Sequence, residues 1–281
     1  MILVECPRDA MQGWKNFIPT DKKISYLNNL LKVGFDILDF GSFVSPKAIP
    51  QLVDTRDVIP HLDMSNTKSK LLAIIANVRG AERAVAFDEI TYLGFPFSIS
   101  ETFQLKNTNK TIEQSLVQVE EIQNLCAKNN KKALVYLSMG FGNPYGDPYD
   151  AEIVFNWFNK LVNMDIKHIA LADTVGVSNP QNIRYIFSHL IPEFSNIHIG
   201  AHFHSHPTNW KEKIQAAWES GCTSFDSSVN GIGGCPMAED ELVGNIATQN
   251  ILSFAQEYQI PLDIDMDAFA LSAKEAKTVF I

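Results

Sequence analysis

Positive charge, cysteine and long apolar runs are all scarce in this chain of 281 residues, and each shortage closes off a class of function. Lys and Arg number 23 against 32 Asp and Glu, a formal net charge of −9. That balance argues against a general nucleic-acid or anionic-membrane surface, because such partners need clustered positive charge. An anionic substrate must then be held by local basic groups or by a metal. The four cysteines, Cys6, Cys126, Cys222 and Cys235, have no paired zinc-type spacing and are too sparse for a disulfide scaffold, so reduced thiols are expected. No apolar stretch approaches the roughly 18 residues of a membrane span. Met1 runs directly into Ile2-Leu3-Val4-Glu5, without the basic n-region of a signal peptide, so a cytoplasmic protein is the expectation. Internal repeats, low-complexity tracts and linkers are also missing.

What is there is a regular alternation. Strand-like runs at Ile2–Glu5, Ile37–Phe40, Leu71–Ala76, Phe95–Ile99, Ala133–Ser138, His168–Ala172, Ile197–His202 and Thr223–Asp226 are separated by helical stretches. The helices are expected at about Thr20–Val33, Lys47–His61, Gly80–Phe87, Thr111–Asn129, Asp150–Asn163, Pro180–Leu190, Thr208–Ser220 and Glu241–Tyr258. Asn179-Pro180 and His206-Pro207-Thr208 read as helix starts, and Gly34, Gly94 and Gly221 as helix stops. Strict strand–helix alternation predicts a parallel sheet. Eight units in this length fit an α/β fold of the (β/α)8 TIM-barrel kind, which takes about 250 residues. A doubly wound open sheet is the alternative, but no G-x-G-x-x-G follows the first strand to support it. With 46% hydrophobic residues the chain can bury one large core, so residues 1–281 are expected to form a single domain, although two small domains would also fit. The barrel would occupy about 1–258, with a terminal helical extension over about 261–281.

In such barrels chemistry gathers at the carboxyl ends of the strands, and the unusual polar residues fall there. Arg8 and Asp9 follow the first run, Asp39 and Ser42 the second, Glu101 the fourth; Ser138 ends the fifth, Asp173-Thr174 follow the sixth, and Asp226 ends the eighth. His202 and His204 close the seventh, and alternate residues of a strand face one side, so both imidazoles can face one metal. Oxygen ligands can come from Asp9 and Asn245. Imidazole with carboxylate and amide oxygens suits Mg2+ or Mn2+, with Zn2+ an alternative. Bland readings stand beside these: Arg8-Asp9 as a local ion pair, the histidines as hydrogen-bonded rim residues, His206 as a solvated residue before a helix. Cys235 in Gly231-Ile232-Gly233-Gly234-Cys235-Pro236 can be a small buried residue, or a thiol that a glycine-rich loop brings close to a ligand.

Taken in order, these segments resemble the hydroxymethylglutaryl-CoA (HMG-CoA) lyase family of the DRE-TIM metallolyases. The resemblance spans nearly the whole chain. It rests on Pro7-Arg8-Asp9 with Gln12, Gly41–Lys47 with Pro50-Gln51, Ser100-Glu101-Thr102-Phe103, and Leu171–Val177. It continues through His202-Phe203-His204, Asp226-Ser227-Ser228, Gly231–Pro236 and Gly244-Asn245. It implies cleavage of 3-hydroxy-3-methylglutaryl-CoA to acetyl-CoA and acetoacetate, as in leucine degradation and ketone-body metabolism, and a homodimer. It implies a divalent cation held by Asp9, His202, His204 and Asn245. Arg8 would stabilise charge at the thioester oxygen, Cys235 would act in proton transfer, and Asp39 would stand where the family usually has Glu. Asp173, Thr174, Gln12 and Ser42 would support metal or substrate, and Lys15 and Lys106-Asn107 would contact the CoA phosphates. The chain departs from the family at Ser205-His206-Pro207, where Asp-Thr is frequent, and at Gly13-Trp14, where Asn-Glu is common. A related aldolase or 2-oxo-acid Claisen-condensing enzyme would use the same metal constellation, and a catalytically silent metal-binding barrel is the reading from another class.

Overall fold

A computed structural model describes residues 1–234 and 243–281 of the chain. The chain opens with β1 (Ile2–Glu5), α1 (Pro7–Gln12), α2 (Thr20–Val33), β2 (Ile37–Ser42), α3 (Thr55–Val58), β3 (Lys70–Ile74) and α4 (Val78–Ala84). It continues through β4 (Ile90–Ser98), α5 (Glu101–Thr108), α6 (Ile112–Lys128), β5 (Lys132–Ser138), α7 (Ala151–Asn163), β6 (His168–Asp173) and α8 (Pro180–Glu193). The last elements are β7 (His198–Ser205), α9 (Trp210–Glu219), β8 (Ser224–Ser227), β9 (Gly244–Asn245), α10 (Thr248–Glu257) and α11 (Met266–Val279). Strands β1 to β8 pair in parallel with their sequence neighbours, and β1 pairs with β8, which closes the sheet. The result is a (β/α)8 TIM barrel with one further terminal helix, α11, which packs against α2.

Parallel strands are covered on both faces, so they read as near-continuous apolar runs. Val4, Ile37, Leu72, Ile74, Leu134, Tyr136 and Ala170 fill the barrel interior, while the outward-facing residues pack beneath the helices. Helix boundaries follow local chemistry. Asn179 caps α8 by accepting from the amides of Gln181 and Asn182, with Pro180 at the first position. Gly34 ends α2 in the left-handed conformation, φ 87°.

Three expectations need correction. Lys47–His61 is not one helix but two short 3-10 turns, Pro50–Leu52 and Ile59–His61, around α3, because Pro50 and Pro60 each lack the N–H that helix propagation requires. Gly94 does not end a helix; it lies inside β4, where a Cβ would meet Ile74 Cδ1 at 2.5 Å. The helix expected from Glu241 begins at Thr248, because Gly244 and Asn245 are drawn into antiparallel pairing with Ser205 and His204.

Candidate active site

At the carboxyl ends of the strands lies a cavity of about 350 Å³ whose lining includes Arg8, Asp9, Gln12, Asn107, Tyr136, Thr174, His202 and His204. Each side chain is aimed by its element. β7 stays extended through Ser205, so His202 and His204 share a face with ring centroids 5.1 Å apart, while Phe203 turns the other way against Phe141 and Phe187. Pro7 starts the single helical turn of α1, which swings Asp9 towards the histidines and sets Arg8 and Gln12 on one face, four residues apart.

The ligand-type atoms of Asp9, His202 and His204 all lie within 4.8 Å of one another. A second such cluster, Cys6, His202 and Asp226, shares His202 but lies deeper in the barrel, where Cys6 is a buried free thiol. The hydrogen bonds separate the two. His202 Nδ1 donates to Asp226 Oδ2 at 2.9 Å, and His204 Nδ1 donates to the Thr174 carbonyl at 2.8 Å. Carboxylate and carbonyl oxygens can only accept here, so both rings carry a proton on Nδ1, and each in its neutral form offers Nε2 as a lone pair. His204 Nε2 is buried and has no hydrogen-bond partner among the described residues. An orphaned, buried imidazole lone pair beside a carboxylate fits a cation, and the outer partners hold each tautomer as metal-binding histidines require.

Electrostatics point the same way. Burial alone would raise the Asp9 carboxyl, but Arg8, the two imidazoles and the Asn245 amide outweigh it and hold it at about 2. Burial depresses His204, with His202 beside it adding to the effect, which favours the neutral ring. His202 is raised, because its hydrogen bond to Asp226 and that residue's charge overcome its burial. Asn245 Nδ2 donates to Asp9 Oδ2 at 2.6 Å and to the Ile232 carbonyl at 3.1 Å.

Arg8 is tethered on three sides. Nε and Nη2 donate to Asp39 Oδ2 at 2.9 and 2.6 Å, and Nη1 donates to Asp9 Oδ1 at 3.0 Å and to Gln12 Oε1 at 2.7 Å. Its guanidinium is therefore fixed at the cavity wall with one remaining N–H, on Nη2. Asp39 is wholly buried and absent from the cavity lining; burial lifts its carboxyl to about 6 despite the pull of Arg8.

Not every expected residue joins the site. Ser42 is buried beside the cavity and its hydroxyl accepts from the Val44 amide, and Lys15 is exposed; neither belongs to the lining. Thr174 lines the cavity, with its hydroxyl accepting from the Met139 amide. Glu101 is exposed and accepts from the Ile112 amide rather than facing the site, and His206 is half-buried and bonded to Thr208. Cys235 lies outside the described residues. Sequence reasoning did not single out Tyr136, whose ring centroid lies 5.4 Å from that of His202 in an edge-on contact, or Glu5, which accepts from the Val229 amide and the Thr248 hydroxyl. Burial pushes Glu5 up to about 8, against the pull of those two bonds. Tyr136 gives no signal beyond an apolar strand pattern; Glu5 is an acid in an otherwise apolar run, which is one.

This arrangement meets its counterparts in known proteins. A family profile described as HMGL-like matches residues 2–274. The chain belongs to that family. A hydroxymethylglutaryl-CoA lyase of Bacillus subtilis is 32% identical over 268 residues, which covers 95% of this chain and 89% of that protein. The solved structure of a Bacillus subtilis HMG-CoA lyase superposes with a TM-score of 0.92 at 30% identity, covering 99% of this chain and 92% of the other. An HMG-CoA lyase of Acinetobacter baumannii, solved in complex with coenzyme A and 3-methylmalate, gives a TM-score of 0.91 at 31% identity and covers 100% of this chain and 91% of that one. A pyruvate carboxylase carboxyl transferase domain from Rhizobium etli, 14% identical with a TM-score of 0.73, shares the fold alone.

Proposed function

We propose that this protein is a divalent-cation-dependent HMG-CoA lyase, cleaving 3-hydroxy-3-methylglutaryl-CoA to acetyl-CoA and acetoacetate. The observation that carries this reading is the cluster of Asp9, His202 and His204, with His204 Nε2 unpartnered among the described residues, beside a fixed guanidinium at one cavity. Asp9, His202 and His204 would hold the cation, joined by the Asn245 amide once its oxygen is turned inward. Mg2+ or Mn2+ suits two imidazoles with carboxylate and amide oxygens, with Zn2+ the alternative. Bound there, the cation would supply Lewis-acid stabilisation of the substrate's hydroxyl and carboxylate oxygens.

The chain's own groups account for the rest. Cleavage removes the hydroxyl proton, forms the ketone of acetoacetate, and sends the electrons of the broken C–C bond into the enolate of acetyl-CoA. Arg8 offers its remaining N–H where that negative charge collects on the thioester oxygen, and such a donor is worth most when pre-aligned. Asp39 and Gln12 serve it by holding the guanidinium plane, so Asp39 acts through Arg8. Asp226 and Thr174 serve the histidines in the same manner. Cys235 is assigned the proton that turns enolate into acetyl-CoA, and Asn107 at the cavity wall is assigned a contact to the acyl-CoA. We further read residues 1–281 as one lyase domain, acting in the cytoplasm on leucine-derived or ketogenic acyl-CoA, as a homodimer.

The test is acetoacetate release from 3-hydroxy-3-methylglutaryl-CoA by chelator-treated protein, with Mg2+ or Mn2+ restored. Cleavage that returns with the metal supports the reading; folded protein that is silent with both metals overturns it.

A further inference from the structure

α9 carries a side chain that the proposed chemistry leaves unexplained. Lys213 is wholly buried, and its ammonium reaches between the ends of β6 and β7. Nζ lies 2.7 Å from Asp173 Oδ2, 2.9 Å from the His204 carbonyl oxygen and 3.0 Å from the Gly176 carbonyl oxygen. An ammonium has three donors and no acceptor, so these partners use it completely. Burying such a charge is costly, and an apolar side chain of similar volume would fill the space without that cost. What the ammonium adds is attachment.

The attachment points converge on one imidazole. One is the backbone of His204 itself. The other two, Asp173 and Gly176, bracket Thr174, whose carbonyl accepts the Nδ1 proton of His204. Asp173 also accepts from the Ser178 amide and hydroxyl, which closes the turn from the other side. We infer that Lys213 is a positioning residue of the metal centre: by tying the His204 carbonyl and the turn carrying the Thr174 carbonyl to one ammonium, it sets the tautomer and aim of His204 Nε2. It touches neither the cavity nor the ligand atoms, and its effect passes wholly through His204. The inference rests on the metal-dependent lyase reading.

Lys213→Met keeps an apolar stem and removes the three donors. Because it strands the Asp173 carboxylate, the double variant D173N/K213M, which leaves no unpaired charge and keeps the Ser178 bonds, stands in if the single variant does not fold. Metal-free wild type and variant are compared by 15N NMR of the imidazole nitrogens, then titrated with Mn2+. The wild type is expected to show His204 as the Nδ1–H tautomer alone. The folded variant is expected to show a mixture, with Mn2+ affinity lower by roughly 10–100-fold, as for other outer partners of metal-binding histidines. Its kcat should fall while KM changes by less than about twofold. A folded variant with the wild-type tautomer and Mn2+ affinity, whatever its Tm, overturns the role. If wild type binds no Mn2+, the metal reading fails, and the tautomer comparison, which needs no metal, still decides what Lys213 does.

Discussion

Strands β6 and β7 carry a pair of histidines near each end of the barrel, and only one pair looks like a ligand set. At the amino ends, His168 and His198 are register partners with ring centroids 5.3 Å apart; towards the carboxyl ends, His202 and His204 are 5.1 Å apart. Strand geometry alone delivers both spacings, so proximity of imidazoles says little. The surroundings differ. His168 packs its ring against Tyr92, its Nδ1 is buried without a partner among the described residues, and burial, then His198 and Lys132, drives its pKa down to about 4. Among the described residues, neither His168 nor His198 joins a cluster of three ligand-type groups. The upper pair has acceptors behind both rings and Asp9 beside them. A metal site is made by what stands behind and beside the imidazoles.

The largest effect should come from breaking that difference directly. His204→Ala should lower Mn2+ affinity by more than the roughly 10–100-fold cost of losing an outer partner, whereas His168→Gln should leave it unchanged; calorimetric titration of both reads the contrast, and equal losses would erase it. Next in size, Arg8→Gln should reduce kcat by about 10²–10³-fold, the cost of one oxyanion-stabilising donor, while Mn2+ affinity holds, which separates charge acceptance from metal binding within the upper site. Asp226→Asn should cost roughly 10–100-fold in Mn2+ affinity by loosening the His202 tautomer; an unchanged titration would show that the carboxylate behind the ring does not matter.

The smallest effect belongs to the lower pair. An imidazole in the unfolded chain titrates near pH 6.5 by the ordinary value and His168 in the fold near 4, so between those values the unfolded chain binds more protons. Stability present above about pH 6.5 should therefore decline as pH falls towards 4. His168→Gln should flatten that decline in urea unfolding measured at several pH values, and a wild-type slope in the variant would assign the loss elsewhere.

The barrel was legible because each strand of a two-face-buried sheet is an apolar run, and the rim was legible because polar residues interrupt those runs at one end. Short-range rules failed where tertiary pairing or proline decided the outcome. The Lys47–His61 stretch has helical apolar spacing but breaks around Pro50 and Pro60, and the helix expected from Glu241 yields to the pairing of Gly244-Asn245 with β7. Asp226 could be placed at the rim, yet its bond to His202 depends on β7 lying beside β8. Lys213 left no trace, because a lysine within a helix reads as solvent-facing, and only the packed structure shows that its stem points inward.

The two residues of β9 decide where Asn245 points. They pair with His204 and Ser205, and side chains alternate along a strand, so a shift of one residue would turn the amide away from Asp9 and put Gly244, with no side chain, in its place. The shifted chain would also collide with its neighbour: a Cβ in the place of Gly244 would lie 2.7 Å from the Gly233 carbonyl oxygen. The ladder thus works as a mechanical key that admits the returning chain in a single alignment. An error of one residue there would be felt as a missing amide beside Asp9 while the barrel beneath it stayed whole.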